Sequence, residues 1–69
     1  MKIGARNCLE GEVVEIKRGA VMCQVKIKIA GGAFMESVMT LDSLKELGID
    51  VGHWIRAVVK AVNVMLIKD

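Results

Sequence analysis

From Val21 to Ile29 the chain alternates with a period of two, Val21, Cys23, Val25, Ile27 and Ile29 against Met22, Gln24, Lys26 and Lys28. An extended backbone sends successive side chains to opposite faces, so this run predicts a strand over residues 20–30 with one face buried and the other wet. Upstream, Leu9, Val13, Val14 and Ile16 change phase near Gly11. That break predicts a bent or bulged strand over residues 8–17, joined to the next by a turn at residues 17–20. Gly31 and Gly32 tolerate positive φ and close a second hairpin into residues 33–40. There Met35, Ser37 and Met39 alternate with Phe34, Glu36 and Val38.

The period then changes. Leu41, Leu44 and Leu47 recur at helical spacing, Gly48 stands where a helix stop is expected, and Thr40 is a candidate N-cap. Asp42 or Ser43 takes the capping role if the helix begins slightly later. Residues 54–60 and 62–68 predict two more strands. The expected fold is all-β, a small five-stranded antiparallel barrel of the oligonucleotide/oligosaccharide-binding (OB-like) type, with one short helix before the fourth strand. Residues 1–69 form a single domain. Barrels of this outline host unrelated functions, so the residues have to decide.

Size sharpens the picture. A domain of 69 residues buries a modest share of its surface, yet 54% of this one is hydrophobic. Small scaffolds usually gain stability from disulfides, metals or self-association. Cys8 and Cys23 lack the spacing of a zinc site and read as small core or interface residues, so a homo-oligomer is the expected sink for the apolar surface. The opening residues show no apolar leader, the apolar runs are broken before membrane-spanning length, and the expected location is the cytoplasm. The formal net charge is +2 with acidic and basic residues interspersed, which gives no long cationic stripe for nucleic acid.

Catalytic chemistry is sparse. His53 is the single histidine, without a neighbouring nucleophile, and the carboxylates Glu10, Glu12, Glu15, Glu46 and Asp50 form no acid–base pair motif. Glycine-rich nucleotide cradles are absent. Phe34 and Trp54 are too few for a base-stacking platform. What the chain does supply is a set of oxyanion donors: the forked guanidinium of Arg6, the ammonium of Lys60, the hydroxyls of Thr40 and Ser43, and the first-turn amides of the predicted helix. These fit a small tetrahedral anion better than a reaction. Each also has an ordinary structural reading, as a surface cation or a helix cap, and spacing alone does not bring the four together.

Several segments carry a resemblance: residues 1–7, reading Met, Lys, Ile, Gly, Ala, Arg, Asn; residues 11–21 from Gly11 to Val21; residues 40–48 from Thr40 to Gly48; and residues 57–65 from Ala57 to Met65. In this order they resemble the molbindins, the Mop-type (TOBE) molybdate-binding proteins. The resemblance implies a barrel that self-associates, commonly as a hexamer built as a trimer of dimers, with molybdate or tungstate held between subunits. Position by position it implies oxyanion contacts from Arg6, Thr40, Ser43 and Lys60, with backbone groups of Ala5 and Ala61 close to the ligand. The family often has serine where this chain has Gly4, and serine or threonine where it has Ala61, which leaves backbone amides to serve there. The resulting expectation is a cytoplasmic protein for molybdate storage and homeostasis. It is not an enzyme, has no cofactor, and holds molybdenum only as its oxyanion, without a metal-ion site. It binds neither nucleic acid nor membrane. The alternatives are an oxyanion-responsive sensor or interaction module and a nucleic-acid-binding barrel of the same type.

Overall fold

The structure is a computed structural model that describes residues 6–69. Four strands and one helix follow one another as β1 (Asn7–Arg18), β2 (Met22–Ile29), β3 (Phe34–Thr40), α1 (Leu41–Leu47) and β4 (Trp54–Val59), with a single 3-10 turn at Ala61–Asn63. The strands make one antiparallel sheet in the order β3-β2-β1-β4. Neighbours in sequence are neighbours in space except for β4, which returns to pair with the first strand. The predicted alternation holds along β2, where Cys23, Val25, Ile27 and Ile29 are buried, and along β3, where Met35, Ser37 and Met39 are half-buried between exposed residues.

β1 is long because it serves two partners. Residues 11–18 pair with β2, residues 7–12 pair with β4, and Gly11 and Glu12 pair with both. A strand that passes from one partner to another has to coil, and the sheet curls with it. Gly11 sits at that crossing. A Cβ there would lie 2.6 Å from Ile27 Cγ2 and 2.8 Å from the Lys28 carbonyl oxygen, so the side-chain hydrogen is what permits the close approach. The bulge itself falls a little later than the phase break suggests: the register steps from Val13↔Ile27 to Glu15↔Lys26, and Val14 is the extra residue.

Among the described residues the buried core is Val13, Cys23, Val25, Ile27, Ile29 and Leu44, with Ile16, Met35, Met39, Leu41, Ile49, Ile55 and Ala57 packed around it. The one fully helical contribution is Leu44, which plugs the sheet from α1. Gly48 ends α1 in the left-handed region at φ 66°, and its N–H reaches the carbonyls of Leu44 and Lys45, as a helix stop requires. Cys8 is exposed and Cys23 buried, both as free thiols.

The expected fifth strand is a correction. Residues 62–68 do not form a ladder: β4 ends at Val59, a 3-10 turn follows, and the chain beyond it is unpaired. Their apolar run makes them competent for a strand, but a strand exists only against another strand's edge, and this chain's own edges do not receive them. The architecture is therefore a curled four-stranded half-barrel, with β3 and β4 as its open sides.

Gly11→Ala is expected to destabilise the domain by about 1–3 kcal/mol, the usual cost of overpacking, because one of the two close atoms is backbone and cannot move aside. Urea unfolding followed by circular dichroism measures this. A midpoint equal to that of the parent would show that the crossing has slack.

Candidate functional site

The oxyanion donors fall into two groups. Thr40 is the last residue of β3 and the N-cap of α1, with extended backbone at φ −72°, ψ 154°. Its Oγ1 accepts the Ser43 N–H at 3.0 Å and donates to Ser43 Oγ at 2.9 Å. A hydroxyl has one proton, so that of Thr40 is used within the pair, while that of Ser43 is not. Both residues are exposed. The first-turn amides are less available than the sequence suggests: Leu41 N–H donates to the Val21 carbonyl at 2.8 Å, and Ser43 N–H is held by Thr40. The sequence reading of Thr40 as the cap holds, and Ser43 is its partner.

The second group lies at the start of β1. Asn7 pairs with Val59, the last residue of β4, and the Asn7 Nδ2 group donates to the Val59 carbonyl at 3.3 Å. Arg6 directly precedes that pair and Lys60 directly follows it. Antiparallel pairing thus brings the two cations out at the same end of the β1–β4 ladder, both exposed. Lys60 has extended backbone, and its carbonyl accepts the Asn63 N–H at 2.9 Å. The Ala61 carbonyl accepts the Val64 N–H at 3.2 Å, so both residues are fixed by the 3-10 turn that follows. Two like charges at one ladder end are a natural seat for a dianion. Ala5 and Gly4 lie outside the described residues.

The two groups are not neighbours within one chain. Thr40 pairs with Met22, beside the Cys23↔Arg18 pair at the far end of β1, whereas Arg6 and Lys60 flank its beginning. β1 separates them with its full length of 12 residues. One copy therefore carries two half-sites: a hydroxyl half beside α1 and a cationic half at the β1–β4 end.

Metal chemistry has no clustered ligands among the described residues. No group of three His, Cys, Asp or Glu side chains is placed to hold a metal ion. His53, which sequence leaves as an exposed or loop-packing residue, has a structural role. Its Nδ1 accepts the Asp50 N–H at 3.1 Å, while Asp50 Oδ1 accepts the Val51 N–H at 2.8 Å, locking the turn that leads into β4. Sequence reasoning missed this. The signal was an Asp and a His three residues apart around Gly52, whose φ of 94° marks the turn. The two aromatics stand at opposite sides of the sheet, in a row that reads Trp54, Glu12, Lys28, Phe34 across the four strands. Lys26 Nζ lies 4.7 Å from the centroid of Phe34. Charged residues separate the rings, so they do not make one stacking surface. Among the described residues no helix is long and apolar enough to cross a membrane.

The chain and its fold have counterparts among known proteins. The TOBE domain model matches residues 4–66. Molybdenum-pterin-binding protein 2 of Clostridium pasteurianum is 46% identical over 67 residues, which are 97% of this chain and 98% of that protein. Among solved structures, a molybdate-binding protein from Sporomusa ovata superposes with a TM-score of 0.90 at 35% identity, covering 99% of this chain and all of that one. The cytoplasmic molybdate-binding protein ModG, crystallised with molybdate bound, superposes with a TM-score of 0.82 at 44% identity; the match covers 88% of this chain and 43% of that one.

Replacing the Thr40 hydroxyl removes the α1 cap. Thr40→Ala is expected to cost about 1 kcal/mol in chemical unfolding and Thr40→Ser to restore most of it. Equal stability of the two variants would remove the capping role.

Proposed function

Because this chain belongs to the TOBE-domain family, and within it to the Mop-type molybdenum-pterin-binding proteins, we propose that it binds molybdate, and tungstate with it, as an exchangeable cytoplasmic store. The observation that carries the reading is the division of the donors into two half-sites at opposite ends of β1. A single copy surrounds the anion incompletely, whereas two copies bring the cationic end of one against the hydroxyl end of the other. The anion is then held between subunits by Arg6, Lys60, Thr40, Ser43 and backbone groups of Ala5 and Ala61. The assembly is a homo-oligomer, a hexamer arranged as a trimer of dimers.

At such a site the chemistry is binding without reaction. The guanidinium of Arg6 supplies a fork, the ammonium of Lys60 a movable point charge, and the Ser43 hydroxyl a directed proton. Charge-assisted bonds of this kind contribute most where water is excluded, which a subunit interface provides. The set is composed of donors. Phosphate near neutral pH carries a proton that asks for an acceptor, and sulfate is a smaller dianion, so a donor-lined cavity of larger radius discriminates against both. Tungstate matches molybdate in shape and charge and is accepted alike.

Isothermal titration of anion-stripped protein with molybdate, in excess sulfate, tests the reading. Saturable uptake is expected. Arg6→Ala and Lys60→Ala should each weaken it by about ten- to a hundredfold, the loss of one hydrogen bond to a charged group. Parent affinity in both variants would remove those two residues from the site, and absence of uptake by the parent would remove the function.

A further inference from the structure

β1 opens on asparagine, a residue that strands disfavour because its short amide competes for backbone partners. Here the amide has a use. Asn7 stands opposite Val59 at the last rung of the β1–β4 ladder, half-buried, and its Nδ2 donates to the Val59 carbonyl at 3.3 Å. A carbonyl oxygen only accepts, so the amide nitrogen and not the amide oxygen faces it. Among the described residues this is the one side-chain hydrogen bond that crosses from β1 to β4.

The Val59 carbonyl belongs to the peptide unit whose nitrogen is that of Lys60. That unit is planar and trans, so fixing its oxygen also fixes the plane from which the Lys60 Cα departs. On the other side, the Lys60 carbonyl accepts the Asn63 N–H at 2.9 Å. Both peptide units that flank Lys60 are thereby held, one by the side chain of Asn7 and the other by the 3-10 turn. Arg6 is joined directly to Asn7, so the same amide ties the strand that carries the guanidinium to the strand that carries the ammonium. The tie lies where the ladder is weakest. Among the described residues no rung follows Asn7 and Val59, and two like charges leaving one rung repel each other and favour its opening.

We propose that Asn7 is a positioning residue for the cationic half-site: without touching the anion, its amide sets the spacing between Arg6 and Lys60 by holding the Val59–Lys60 peptide to β1. The proposal rests on the molybdate reading for its ligand and on this hydrogen bond for its geometry. The physical gain is preorganisation, since two cations already held at one rung have less freedom to lose when a dianion arrives. The buried core takes its β1 member from Val13, well inside the strand, so loss of the bond is felt at Lys60 and not in the core.

Two measurements test it. Titration with molybdate compares the parent, Asn7→Ala, Lys60→Ala and the double variant. Asn7→Ala is expected to weaken binding about three- to tenfold, the loss of one neutral hydrogen bond, and by less than about twofold where Lys60 is already alanine, because an effect carried through Lys60 disappears with it. A purely structural role would give the same loss in both backgrounds. That result, or parent affinity in Asn7→Ala, would overturn the assignment. The second measurement is amide relaxation by NMR on anion-free protein. The backbone order parameter of Lys60 is expected to fall from about 0.85 to about 0.6 or below in Asn7→Ala, with Val25 of β2 unchanged. An unchanged value at Lys60 overturns the proposal whatever the titration gives. A parent that takes up no molybdate removes the proposed function, and the order parameter then decides alone whether Asn7 holds Lys60.

Discussion

The close approach at Gly11 is the contact on which the rest of the architecture depends. Around that residue β1 is held by β2 on one side and β4 on the other, and no side chain fits between it and Ile27. The coil imposed there turns a flat ladder into a half-barrel and orients the two ends of β1 differently. One end then carries Arg6 beside Lys60. The other leads through β2 and β3 to Thr40 and Ser43. A straighter β1 would leave the same residues on a flat sheet, with no gap between β3 and β4 and no core for Leu44 to close.

Much of this was legible in the sequence, and for specific reasons. β2 was readable because its alternation is strict and a buried-face strand has no other way to sort its side chains. The helix was readable from both ends, since Thr40 and Gly48 are chemical stops and α1 occupies the seven residues between them. The bulge was mislocated because apolar phase reports only which face a residue takes, and Val14, beside the buried Val13, disguises the extra residue. The fifth strand was overcalled for a different reason: an apolar run measures the capacity to form a strand, whereas a ladder also needs a partner edge, which the run itself does not reveal. The donor residues were legible as a chemical set. Their separation along β1 was not, because sequence carries no information about which end of a ladder a residue leaves until the register is known.

Burial makes the same point in energetic language. Among the described residues six side chains are buried, none of them aromatic, while Trp54 and Phe34 are 70% and 54% exposed. A core of that size leaves a small domain marginal. Exposed apolar side chains are heaviest after β4, where Met65, Leu66 and Ile67 are 92%, 94% and 91% exposed, and others stand elsewhere, at Val21, Val38, Val51 and Trp54. The high hydrophobic fraction of the chain is therefore only partly used in the core of a single copy.

The proposed function makes assembly and anion binding two sides of one equilibrium. If the half-sites of separate copies meet only in the oligomer, molybdate binds the assembled form and not the single chain, and each bound anion stabilises the assembly by RT ln(1 + [L]/Kd), about 2.7 kcal/mol at a hundredfold excess over Kd.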